Sequence, residues 1–197
     1  MNEYNSNEKR KLLDELNNQI RICERCSLSI TRKNALIGEG NIDARIMFVA
    51  LSPGAKEDIQ NKMFVGPSGQ VLNRLLDKAN INRESVFMTN LVKCILPKNR
   101  KPKTDEIKSC SRFLEEEISI IQPEVIVPLG YYATRAIIVK YHTRPEILNM
   151  SFNSINGRLL FSDKIKVFPL THPSALLYNP SFEPDTLKKY MKLKRFL

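Results

Sequence analysis

RIMFVALSPGAKEDIQNKMFVGPSGQVLNRLL, residues Arg45 to Leu76, runs from an apolar segment through a Ser52-Pro53-Gly54 break and an acidic pair to a phenylalanine and an amphipathic repeat. Residues 45–51 read as a buried strand, short and continuously apolar. Pro53 withholds a backbone donor and ends the strand, while Gly54 leaves room for an unusual backbone path or a close ligand approach. Residues 68–80 then take up helical spacing. The unit recurs: strand-like 85–92 precedes helix-like 104–121, strand-like 124–130 precedes helix-like 131–141, and strand-like 165–171 leads into HPSALL and a basic closing helix. Apolar strands alternating with helices predict a three-layer α/β/α fold around a central, mainly parallel four-stranded sheet. In such sheets ligands bind beyond the carboxyl ends of the strands. That rule gathers Ser52-Pro53-Gly54, Thr89-Asn90, Pro128-Leu129-Gly130 and Thr171-His172-Pro173, and the first break reads as the floor for a flat ligand.

The 197 residues contain no evident linker, repeat or low-complexity tract, so one domain over 1–197 is expected, and 42% hydrophobic content is ordinary for a globular chain. The longest apolar runs fall far short of the roughly 18 residues of a membrane helix. The polar start MNEYNSNEKRKLLDEL lacks the apolar core of a secretory signal, which points to the cytoplasm. Lys and Arg exceed Asp and Glu by 31 to 21, a net charge of +10. Two segments carry no acid, LVKCILPKNRKPKT (91–104) and TLKKYMKLKRFL (186–197). A polyanionic partner fits these segments, since each neutralised phosphate releases counterions; a solvated Lys-rich surface is the plain alternative. Four cysteines stand as Cys23-x2-Cys26, Cys94 and Cys110. In a reducing compartment they read as metal ligands rather than disulfides, and zinc and a [4Fe-4S] cluster both suit the spacing.

With these pieces assembled, the chain resembles a family 4 uracil-DNA glycosylase, the iron-sulfur branch of the uracil-DNA glycosylase superfamily, from about Leu12 to Leu177. CERCSLSITRKNALIGEGN, PGAKEDIQNKMFVGPSGQVLNRLL, FMTNLVKCILPKNRKPKTDEIKSCSRFL and THPSALLYNP carry the likeness together, and none of them carries it alone. The resemblance implies that Phe64 stacks on a flipped uracil above the Ser52-Pro53-Gly54 floor. It implies too that the Asn90 amide reads the uracil edge, offering an acceptor to N3–H and a donor to O4. His172 is implied as a donor to O2 of the leaving uracil anion, a role suited to neutral imidazole. His142 has no such setting and is expected on the surface or in a loop. Asn99 is implied at the mouth of the site, with Lys98, Arg100 and Lys101 against DNA. Ser174 and Ala175 are expected to present backbone amides to a phosphate, and Leu176, Leu177 and Tyr178 are candidate wedges into the duplex. Cys23, Cys26, Cys94 and Cys110 match the ligands of a [4Fe-4S] cluster, which would tie the N-terminal helix to the basic loop.

One departure stands out. Where the family's first motif has a glutamate, this chain has Leu51, within Ala50-Leu51-Ser52-Pro53-Gly54. A leucine cannot orient water or stabilise a sugar cation, so that role is expected of Glu57 or Asp58, with Glu57 the stronger candidate. The implied activity is monofunctional removal of uracil from single- or double-stranded DNA by a monomer, with no lyase nucleophile at the strand ends except the cysteine-adjacent Lys93. The alternatives are a glycosylase for other deaminated bases, a non-catalytic binder of uracil or abasic DNA, and an iron-sulfur redox carrier.

Overall fold

The structure is a computed structural model that describes residues 4–141, 145–162 and 165–197. His142 therefore lies outside the described residues. Helix α1 (Ser6–Arg21) starts at a capping box in which the Asn5 side chain accepts from the Asn7 and Glu8 amides and Glu8 reaches back to the Asn5 N–H. It is followed by α2 (Leu28–Thr31), the short edge strand β1 (Glu39–Gly40) and the central strand β2 (Ile46–Ala50). The chain then leaves the sheet through α3 (Ala55–Gln60) and α4 (Pro67–Lys78) and returns as β3 (Phe87–Asn90). Next come α5 (Thr104–Ile121), β4 (Val125–Pro128) and α6 (Tyr131–Tyr141). The last third holds α7 (Pro145–Leu148), α8 (Phe152–Ile155), β5 (Leu160–Phe161), β6 (Lys166–Val167), α9 (Ala175–Tyr178) and α10 (Glu183–Met191).

Among the described residues the sheet has six strands in the order β1-β3-β2-β4-β6-β5. The four inner strands run parallel, in the registers Phe48↔Met88, Phe48↔Val127 and Ile126↔Val167. These are the expected four; the two-residue strands β1 and β5 add antiparallel edges. Both edges are too short to show an alternating pattern in the sequence, which explains the difference from four to six. Pro169 limits β6 to two residues, and the sheet resumes only at the Leu129↔Leu170 bridge.

Side chains alternate across the sheet and divide the core. Met47, Val49, Phe87 and Ile126 face α1, α5 and α6 on one side. Ile46, Phe48, Ala50, Met88 and Val127 face α4, α9 and the C-terminal segment on the other. Tyr190 of α10 stacks on Phe48 with 6.2 Å between ring centroids, so the basic closing helix is docked by an aromatic contact. No helix among the described residues is long and apolar enough to cross a membrane.

Candidate active site

The carboxyl ends of β2, β3 and β4 open into a cleft of about 540 Å³. Ser52, Pro53 and Gly54 line it from the β2–α3 turn, Asn90 from the end of β3, Leu129 and Gly130 from the end of β4, and His172 from beyond the Leu170 bridge. Phe64 forms part of the wall between α3 and α4 and is buried with φ at 54°, a region that bulky side chains rarely enter. Two neighbours hold it there. Arg83 donates to the Met63 carbonyl at 2.7 Å. Helix α4 approaches so closely that a Cβ at Gly69 would stand 1.8 Å from the Phe64 carbonyl oxygen. Strain maintained by the surroundings at a cleft wall is typical of binding sites.

Asn90 is buried, and its Nδ2 faces the Met63 sulfur at 3.2 Å. Thioether sulfur is a weak acceptor, so the amide keeps bonding capacity for a ligand. His172 is fixed by its own turn: the Ser174 N–H donates to Nδ1 at 3.2 Å, and the Ser174 hydroxyl lies 2.8 Å from the same nitrogen. A nitrogen that accepts a backbone N–H carries no proton, so the neutral ring bears its proton on Nε2. Burial lowers the imidazole to about 4, against a smaller opposing pull from the Glu57 charge. His172 is thus a neutral donor on the cleft wall.

Glu57 is the one carboxylate among the described residues that line the cleft. Its Oε1 accepts from the Gly66 N–H at 2.7 Å. A Cβ at Gly54 would stand 2.6 Å from Glu57 Oε2. Gly54 has φ −83°, so no unusual backbone explains it; the glycine makes room for the carboxylate.

On the far side of β3 the four cysteines line one small cavity between the end of α1 and α5. Arg32 donates to the Cys94 sulfur and the Lys93 backbone N–H to the Cys110 sulfur, each at 3.2 Å. Burial pushes the Cys110 thiol up to about 12 and raises Cys94 as well. Four sulfurs around one space, two of them already accepting N–H bonds, form a donor set suited to a thiolate-bound metal centre.

A family model described as the uracil DNA glycosylase superfamily matches residues 37–194. The chain belongs to this superfamily. Among curated relatives, the type-4 uracil-DNA glycosylase of Saccharolobus solfataricus is 40% identical over 190 residues, covering 94% of this chain and 86% of the relative. That of Thermotoga maritima is 38% identical, covering 88% and 87%, and that of Archaeoglobus fulgidus 32% identical, covering 92% and 91%. Within the superfamily these relatives place the chain in the type-4 group.

Within the type-4 framework, three of the expectations drawn from the sequence need correction. Asp58 does not line the cleft; it is buried, and its carboxylate accepts from the Lys33 and Asn34 amides at 3.0 to 3.1 Å, fastening the loop before β1. Ser174 and Ala175 have no free amides for a phosphate, because the first N–H goes to His172 Nδ1 and the second to the His172 carbonyl. Leu176 is 3% exposed and packs in the core, whereas Leu177 and Tyr178 are 47% and 90% exposed at the rim. Arg100 lines the cleft but its guanidinium is paired with the buried Glu106, which also accepts from the Lys103 N–H. Lys98 and Lys101 are exposed on the same loop without lining the cleft, and Asn99 stands at its mouth. Lys98 and Asn99 both have positive φ, 54° and 53°, so this turn too is held under strain. The sequence reading missed Tyr131 and Tyr132, an edge-to-face pair at 5.3 Å that lines the cleft from the start of α6. Their position directly after the β4 strand end was the available signal.

Proposed function

We propose that the chain hydrolyses the N-glycosidic bond of deoxyuridine in DNA, releasing uracil and leaving an abasic site. The observation that carries this reading is the convergence of Phe64, Asn90, Glu57 and a neutral His172 on one cleft. The name type-4 uracil-DNA glycosylase, borne by relatives that match along most of the chain, supports it.

A deoxyuridine turned out of the stack would rest its base on Phe64 and present its edge to Asn90. As the C1′–N1 bond breaks, both electrons leave with the base, and the charge that develops on O2 meets the His172 Nε2–H. Glu57 faces the cationic sugar and orients the water whose oxygen bonds to C1′, the proton passing through Glu57 or solvent to the uracil anion. Hydrolysis needs no amine nucleophile. Lys93 is buried against Glu117, and the exposed Lys56 at the rim lacks the apolar surroundings that activate a lysine.

For the cofactor we read Cys23, Cys26, Cys94 and Cys110 as the ligands of a [4Fe-4S] cluster. The resemblance of the chain to the iron-sulfur branch of the superfamily favours the cluster over a single zinc ion. Bound, it supplies iron–thiolate bonds that tie the end of α1 to α5. We take the protein to act as a single-domain cytoplasmic monomer on single- or double-stranded DNA, with Lys98 and Lys101 near the backbone and Leu177 and Tyr178 entering beside the displaced base.

Single-turnover release of uracil from a uracil-containing oligonucleotide, read as strand breakage after alkali, tests the reading. Cleavage that requires both uracil and His172 supports it. Intact strands from metal-loaded protein that still binds the DNA would sink it. Leu51, which lines the cleft where the family motif has a glutamate, favours one second reading, a glycosylase for other deaminated bases; a panel of modified oligonucleotides separates the two.

A further inference from the structure

Lys93 is among the largest fully buried side chains of the molecule, yet it takes no part in the chemistry above. Its Nζ donates to Glu117 Oε2 at 2.6 Å, to Thr89 Oγ1 at 2.6 Å and to the Asn90 carbonyl at 3.0 Å. Three ammonium protons thus meet three acceptors. Thr89 Oγ1 in turn donates to the same Glu117 oxygen at 2.8 Å.

Burying an ion pair is an expensive way to gain stability, and apolar side chains of equal volume commonly do as well. The location of this pair argues for a different use. Asn90 is the last residue of β3, and among the described residues its side chain has one hydrogen-bond partner, the weakly accepting Met63 sulfur. The backbone beneath it therefore has a large share in where the amide points, and Lys93 fastens the Asn90 carbonyl three residues earlier in the chain. The backbone N–H of the same lysine binds the Cys110 sulfur, and Cys94 is its neighbour.

We propose that Lys93, charged against Glu117, is a positioning residue that sets the Asn90 amide against the base and joins that register to the cysteine centre. The inference rests on the glycosylase reading and deepens it. Lys93 touches neither the base nor the sugar; it acts through Asn90.

The test is a double-mutant cycle in metal-loaded protein. Lys93→Met/Glu117→Leu removes both buried charges together, so that no unpaired carboxylate is left to unfold the chain. It is compared with Asn90→Ala and with the triple variant, measuring the single-turnover rate, DNA affinity and bound iron. The expected result is a loss of ten- to a hundredfold in the rate on uracil, with affinity for uracil-free DNA and iron content unchanged. In the Asn90→Ala background the same pair of substitutions costs less than threefold, because the residue it positions is gone. Equal losses in both backgrounds overturn the proposal. So does a charge-free variant that lacks a cooperative melting transition, since the pair would then serve folding rather than register. Wild-type protein inactive on uracil would defeat the glycosylase reading itself, whereas an active wild type with additive losses defeats only the role of Lys93.

Discussion

His172 shows how local geometry sets chemistry. The Ser174 N–H on Nδ1 fixes the tautomer, and burial holds the imidazole at about 4, below the ordinary 6.5. As pH falls from 6.5 toward 4 the unfolded chain takes up this proton before the folded one does. His172 therefore subtracts from stability across that window and has no such effect above it. An NMR titration of the imidazole C–H signal lost in His172→Ala should give a midpoint near 4; a midpoint at the ordinary value would mean that the ring is not held as described. Glu57 and Asp58 divide in the same local way. Glu57→Gln keeps an acceptor for the Gly66 N–H but loses the charge, and should slow the single-turnover rate on the order of a hundredfold with little change in melting. Asp58→Ala removes the acceptor of two part-buried amides and should cost about 1 to 2 kcal/mol in denaturant unfolding while leaving the chemical rate near wild type. The acidic pair was legible in the sequence and Glu57 was favoured within it, but the loop-fastening part of Asp58 was not legible. Adjacent helical residues point about 100° apart, and only the fold decides which one meets the cleft.

At the level of elements, α9 and α4 pack together on one face of the sheet and both border the cleft. Leu176, Leu177 and Tyr178 were all candidate wedges in the sequence, with burial against the sheet the alternative for the two leucines, and the four-residue helix α9 turns only the first into the core. A helix this short has too few positions for periodicity to identify its buried face. Leu177→Ala/Tyr178→Ala should consequently lower excision from duplex DNA roughly tenfold and spare single strands, because a wedge matters only where a stack must be opened. Equal losses on both substrates would reassign the pair to backbone binding. In α4, Gly69→Ala would force a Cβ into the Phe64 carbonyl. We expect roughly 2 to 3 kcal/mol of destabilisation together with weaker uracil binding, measured by thermal melting and by inhibition with free uracil. The strand and helix order was readable because its apolar periods are long, and the positions of Asn90 and His172 followed from the strand-end rule. Gly54 and Gly69 were not readable in the same way, since what they make room for lies elsewhere in the chain.

Across the whole molecule, the cysteine centre and the sheet compete to hold α1. Leu13, Leu16 and Ile20 of α1 are buried against α5, and Lys9 donates to the Ile121 carbonyl at 3.0 Å. Three such side chains contribute roughly 6 kcal/mol of apolar burial, enough to keep the helix docked without metal. The cysteine cavity lies at the other end of α1, and the segment around Cys23 and Cys26 is only half-buried. Metal loss should accordingly loosen residues 22–34 first and reach the cleft through Lys93. Cys23→Ala/Cys26→Ala should abolish iron binding and the visible absorbance of a cluster, yet keep one cooperative transition, lowered by roughly 10 °C if the centre contributes a few kcal/mol. Hydrogen exchange should then quicken around 22–34 and at the start of the 91–104 loop while the amides of β2 and β4 stay protected. A variant with no cooperative transition would make the metal, rather than the two apolar faces of the sheet, the foundation of the fold.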